Sequence, residues 1–142
     1  MTIEALNASA TSSKVVIGVD DAPENLFLLQ STLKKAGYTF MGVHSGSECL
    51  ALVSRVIPRL ILLDVEMPVM DGFETCRRLR DNRELGHVPV AFLTARKTPE
   101  DVKRGLGLGG NDFIIKPFDP VKLLDRVKYW VGRSVGQMAQ TG

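Results

Sequence analysis

Two aspartates, Asp20 and Asp21, close one short apolar run of the chain, and a third, Asp64, closes another. Thr94 and Lys116 stand at the ends of two more such runs. Taken together, these residue types suggest a chemistry. Carboxylates packed close repel, so either some hold protons or a cation sits among them. Oxygen ligands with one or two direct carboxylates suit Mg²⁺, which keeps water on its remaining positions. An ammonium beside that metal screens phosphoryl oxygens, and a carboxylate can be the nucleophile that forms an acyl phosphate. A threonine hydroxyl can hydrogen-bond a phosphoryl oxygen. All of this depends on whether the fold brings the five residues together.

The elements that must position them can be read from periodicity. Short apolar runs predict strands over 14–19, 38–43, 60–63, 88–93 and 112–115. Apolar residues recur at helical spacing in between: Leu26, Leu29 and Leu33 over 23–36, then Leu50, Val53 and Ile57 over 47–57. Phe73, Cys76 and Leu79 mark a third helix over 71–83, a weaker fourth covers 98–108, and Leu124, Val127 and Val131 give a fifth over 119–133. Asp119 caps the last helix and Pro120 fits its first position. The fourth helix runs into GLGLGG, and glycine costs about 1 kcal/mol relative to alanine inside a helix, so its C-terminal end is expected to fray.

Strand then helix, repeated, with strands that are continuous apolar runs, predicts a parallel sheet covered on both faces. The expected fold is α/β: a flavodoxin-like doubly wound five-stranded parallel sheet of order 2-1-3-4-5 with five helices. Ligands of such sheets sit outside the carboxyl ends of the strands. That edge carries Asp20, Asp21, Asp64, Thr94 and Lys116. His44 ends an edge strand and lies away from the centre. The expected organisation is a leader over 1–13, one domain over 14–134 and a tail over 135–142.

Composition narrows the class further. The chain has 142 residues, 44% of them hydrophobic, and a net charge of +2 from 18 basic and 16 acidic residues, the balance of one globular domain. So small a surplus makes no case for nucleic acid, and no apolar run approaches the roughly 18 residues of a membrane span. Cys49 and Cys76 have neither disulfide-framework nor zinc spacing, and MTIEALNASATSS has no secretory apolar core, so a cytoplasmic setting is expected.

VDDAPENLFLL, LILLDVEMPVMDG, VAFLTAR and DFIIKPF, in this order and at this spacing, resemble the response-regulator receiver domain of two-component signalling, the CheY-like family. The resemblance implies that Asp64 accepts a phosphoryl group from a phosphohistidine on a sensor histidine kinase or histidine phosphotransfer protein. It implies Mg²⁺ (or Mn²⁺) held by Asp21, Asp64 and the backbone carbonyl of Glu66, with Asp20 acting through water. Lys116 and Thr94 would contact the phosphate beside Ala95, whose small side chain leaves room for the donor. The Lys116–Pro117 bond would be cis. Thr94 and Phe113 match the switch pair, in which the hydroxyl moves to the phosphate and the ring swings inward. Phe113, where tyrosine is common, makes any output contact from this position apolar. Output would be read on the face of helix 4, strand 5 and helix 5 by an effector protein or a missing output domain. A homodimer through that face is left open, and direct nucleic-acid or membrane binding is not expected. Such a domain is no enzyme beyond its own phosphotransfer and autodephosphorylation.

Glu66 and Arg96, each two residues past a site residue, are expected to pair across the mouth and to gate water. Asp71 starts the next helix. Three other readings fit the residues less well. A degenerate, purely protein-binding receiver is opposed by the presence of all five residues. A Mg²⁺-dependent phosphatase would want an Asp at position 66. A flavin carrier would want a neutral phosphate loop where DDAPEN stands.

Overall fold

The structure is a computed structural model that describes residues 15–141, with side chains to residue 133. The expected leader over 1–13 lies outside the described residues. The order is β1 (Val15–Val19), α1 (Pro23–Lys35), β2 (Thr39–Val43), α2 (Gly46–Val53) and β3 (Leu60–Asp64). Then come α3 (Gly72–Arg80), a 3₁₀ turn (Arg83–Leu85), β4 (Val90–Thr94), α4 (Pro99–Gly107), β5 (Asp112–Ile115) and α5 (Pro120–Thr141). All strand pairs are parallel, in the order β2-β1-β3-β4-β5.

Each central strand buries both faces, because successive side chains point to opposite sides of the sheet. Ile17, Val19, Ile61, Leu63 and Phe92 meet Cys49, Val53, Phe73, Cys76 and Leu79 of α2 and α3. Val16, Leu60, Leu62, Ala91 and Leu93 meet Leu26, Leu29 and Leu33 of α1 and Leu123, Val127 and Val131 of α5. Leu123 is therefore the buried residue of the first turn of α5, with Leu124 only partly covered.

Several boundaries shift for local reasons. β4 begins at Val90, since Pro89 has no N–H for a ladder. α3 stops at Arg80 and gives way to the 3₁₀ turn. α5 continues to Thr141, past the expected end at Arg133. No proline interrupts that stretch, and Gly136 alone does not break a helix.

The glycines of α4 have a role that composition hid. Gly110 N–H donates to the Gly105 carbonyl at 2.9 Å and Gly109 N–H to the Leu106 carbonyl at 3.1 Å, with Gly109 at φ +95°, a Schellman closure. Arg80 clamps the same end: its Nε donates to the Gly109 carbonyl at 3.0 Å, Nη1 to Leu85 and Nη2 to Asn111. The end expected to fray is thus the anchored one. Gly105 is the one buried residue of α4, and a β-carbon there would lie 2.5 Å from the Phe113 ring and 2.8 Å from that of Phe92. One at Gly110 would lie 2.2 Å from Phe92. The backbone of α4 and its exit loop rest directly on aromatic rings.

Candidate functional site

The carboxyl ends of β1, β3, β4 and β5 converge as expected. Asp20 is fully buried at the end of β1, Asp64 is buried as the last residue of β3, and Thr94 is buried as the last of β4. Asp21 is exposed beside them. One carboxylate oxygen from each of Asp20, Asp21 and Asp64 lies within 4.8 Å of the others. Lys116 Nζ donates to Asp20 Oδ2 at 2.9 Å and stands 3.1 Å from Asp64 Oδ1. The Lys116–Pro117 bond is cis.

Neither aspartate after β1 serves as a helix cap. The N-cap of α1 is Ala22, which makes no side-chain cap, and its N–H donates to Asp20 Oδ1 at 3.0 Å. Asp20 Oδ2 also accepts from Asn25 Nδ2 at 3.1 Å. Asp20 is thus a buried anion fixed by three donors, which is what makes its burial tolerable.

Asp64 is held less tightly, by Lys116 and by the Glu66 N–H at 3.3 Å. Burial pushes its carboxyl up to about 6; the hydrogen bond from Lys116 pulls it down, and the neighbouring Asp20 charge raises it again. For Lys116, burial works against the charge, but the hydrogen bonds to Asp20 and Asp64 outweigh it and the ammonium is held above its ordinary range.

Behind Asp64 the chain turns sharply. Gly72 N–H donates to the Val65 carbonyl at 2.9 Å, and a β-carbon on Gly72 would sit 2.3 Å from the Asp64 carbonyl oxygen. Only glycine lets α3 start this close to the strand end. Asp71 caps α3, accepting from the Glu74 N–H at 2.8 Å. Met67 tucks into the core, while Val69 is fully exposed at φ +70°, at the centre of a γ-turn closed by Met70 N–H to Pro68 carbonyl at 2.8 Å.

The remaining expected residues sit as follows. Thr94 donates its hydroxyl to the Arg96 carbonyl at 2.8 Å and accepts from the Arg96 N–H, so it is engaged within its own loop. Phe113 is already inward, 4% exposed, with its ring centroid 5.1 Å from that of Phe92. Phe92 in turn meets Phe73 edge-on at 5.1 Å, and the Arg104 guanidinium lies 4.6 Å over Phe73. Ala95 is exposed. Glu66 and Arg96, expected to pair, form no ion pair among the described residues; both are exposed, where water screens such a pair to little value.

Two residues here went unnoticed in the sequence. Asn25 reaches Asp20 from the first turn of α1, which folds back over the end of β1. Gly72 is required by a contact that spacing alone does not reveal.

The sequence pattern of the response regulator receiver domain matches residues 16–128. The chain belongs to that family. It is 40% identical over 117 residues to the response regulator PleD of Caulobacter vibrioides, a match covering 82% of this chain and 26% of that protein. The chain therefore spans about a quarter of the length of this curated relative. The chemotaxis protein CheY4 of Vibrio cholerae superposes with a TM-score of 0.80 at 32% identity, over 82% of this chain and 98% of CheY4. The receiver domain of a sensor histidine kinase from Pseudomonas aeruginosa, solved with a magnesium ion coordinated in its active site cleft, gives 0.78 at 29% identity, over 84% and 98%. This receiver is accordingly a phosphoacceptor signalling domain of the two-component kind. Among the described residues no helix is long and apolar enough to cross a membrane.

Proposed function

We propose that this receiver takes a phosphoryl group on Asp64 from a phosphohistidine donor, with Mg²⁺ bound at the acidic cluster. The observation that carries this is the convergence of Asp20, Asp21, Asp64 and Lys116 at one sheet edge. Their donor set is hard oxygen only, which fits Mg²⁺. Asp20, Asp21 and Asp64 would hold the metal with the Glu66 carbonyl, and the metal would neutralise charge on the transferring group. Ionised Asp64 attacks phosphorus through a carboxylate oxygen. The new O–P bond forms as the donor N–P bond breaks, and the imidazole nitrogen leaves with the electron pair. Lys116 pairs with the phosphoryl oxygens, and Thr94 turns its hydroxyl from Arg96 to them.

Phosphorylation would then bias a two-state equilibrium read on the face of α4, β5 and α5, by an effector, an attached output domain or a second copy. Leu106, Ile115, Val121 and Tyr129 are exposed on these elements, which supports an apolar contact there. A cytoplasmic setting fits such a donor. The test is Mg²⁺-dependent acetyl-phosphate labelling or beryllofluoride binding, compared between wild type and Asp64→Asn. Labelling of wild type alone is expected, and equal behaviour of the two would overturn the reading.

A further inference from the structure

We propose that Asn25 is a positioning residue for this transfer: by holding Asp20, it leaves Lys116 free to move to the phosphoryl group. The inference rests on Asp64 as the acceptor.

Asp20 Oδ2 has two donors, Asn25 Nδ2 at 3.1 Å and Lys116 Nζ at 2.9 Å, while Oδ1 takes the Ala22 N–H. A carboxylate only accepts, so the NH₂ end of the Asn25 amide must face it. Lys116 is thereby shared between two acids, with Asp64 Oδ1 at 3.1 Å. When a phosphoryl group arrives, its oxygens compete for the same ammonium. Asp20 is fully buried; the metal would share its charge, but an Oδ2 that lost both of its donors would carry a large penalty. Asn25 is the neutral donor that stays. It is rigidly mounted, since it lies in the first turn of α1 and its own N–H donates to the Ala22 carbonyl at 3.1 Å. Without it, Oδ2 keeps Lys116 as its remaining side-chain donor, and the lysine is drawn toward Asp20 and away from the reaction.

Asn25→Ala tests this, with Asn25→Gln keeping an amide donor on a longer arm. The expected result is a loss of about tenfold in the maximal acetyl-phosphate labelling rate, with the half-saturating donor concentration unchanged. Asn25→Gln should recover part of the rate. In a Lys116→Ala background Asn25→Ala should add nothing, because the route through Lys116 is already gone. In the metal-free protein the ¹⁵N resonance of the Lys116 ammonium should shift in Asn25→Ala, a change that a generally loosened helix would not single out. A labelled wild type with an unaffected Asn25→Ala, or an equal loss in both backgrounds, sinks this inference alone. A wild type that takes no label sinks the Asp64 reading and this inference with it.

Discussion

Lys116 Nζ lies 3.1 Å from Asp64 Oδ1, so this ammonium already stands where a phosphoryl group on that carboxylate would spread its charge. In the proposed transfer it would stabilise charge that grows as the reaction proceeds, the kind of interaction whose loss slows chemistry more than binding. Lys116→Ala should lower the acetyl-phosphate labelling rate on the order of a hundredfold. Rapid-quench labelling of the two proteins measures this, and a loss below about threefold would contradict the role.

The pH dependence follows from Asp64. Its carboxyl sits at about 6 in the folded protein against an ordinary 3.8, so the folded state holds this proton more tightly than the unfolded chain. The associated stability is complete below the unfolded value and is lost as pH rises through about 6. Metal-free wild type should therefore lose stability across that window relative to Asp64→Asn. Mg²⁺ requires the ionised carboxylate, so its stabilising effect should grow over the same interval. Thermal midpoints of both proteins, with and without Mg²⁺, decide the matter; parallel metal-free curves would refute it.

Gly110 and Gly105 touch aromatic rings with their backbones. Gly110→Ala places a methyl 2.2 Å from Phe92 and Gly105→Ala places one 2.5 Å from Phe113. Each should destabilise by about 1–3 kcal/mol through overpacking. Phe92→Leu should relieve Gly110→Ala, giving a favourable coupling in a double-mutant cycle from urea unfolding.

Val69 pulls the other way. A β-branched residue at φ +70° is strained, and its side chain is fully exposed, with no packing to compensate. Val69→Gly should stabilise by about 1 kcal/mol, because glycine has no β-carbon to clash at positive φ. Denaturant unfolding measures it, and an unchanged midpoint would mean that the γ-turn relaxes in solution.

The sheet and its reactive edge were legible because both depend on the simplest periodicities. Continuous apolar runs in 60–63 and 88–93 announced strands buried on two sides, and the residue after each run fell at the ligand-binding edge. Asp20, Asp21, Asp64 and Lys116 could be gathered that way. Long-range contacts were not legible. Nothing in GLGLGG indicates that its carbonyls close a Schellman turn or that Arg80, over twenty residues earlier, clamps it. Helix propensity counts glycine as a loss, and here tertiary packing converts it into close approach. Likewise Glu66 and Arg96 stand at suggestive positions, but solvent competes for both charges and no pair forms.

The one fully buried residue of α4, Gly105, has no side chain; beside it Val102 packs partly against the core and Arg104 lies over the Phe73 ring. Its exposed positions, such as Glu100, Lys103 and Leu106, can change with little effect on how the domain folds. On the proposed reading of this face, the vocabulary for addressing a partner and the grammar of the fold are written largely in different residues. A new listener could be acquired by rewriting the outer surface of one helix, leaving the phosphoryl chemistry untouched.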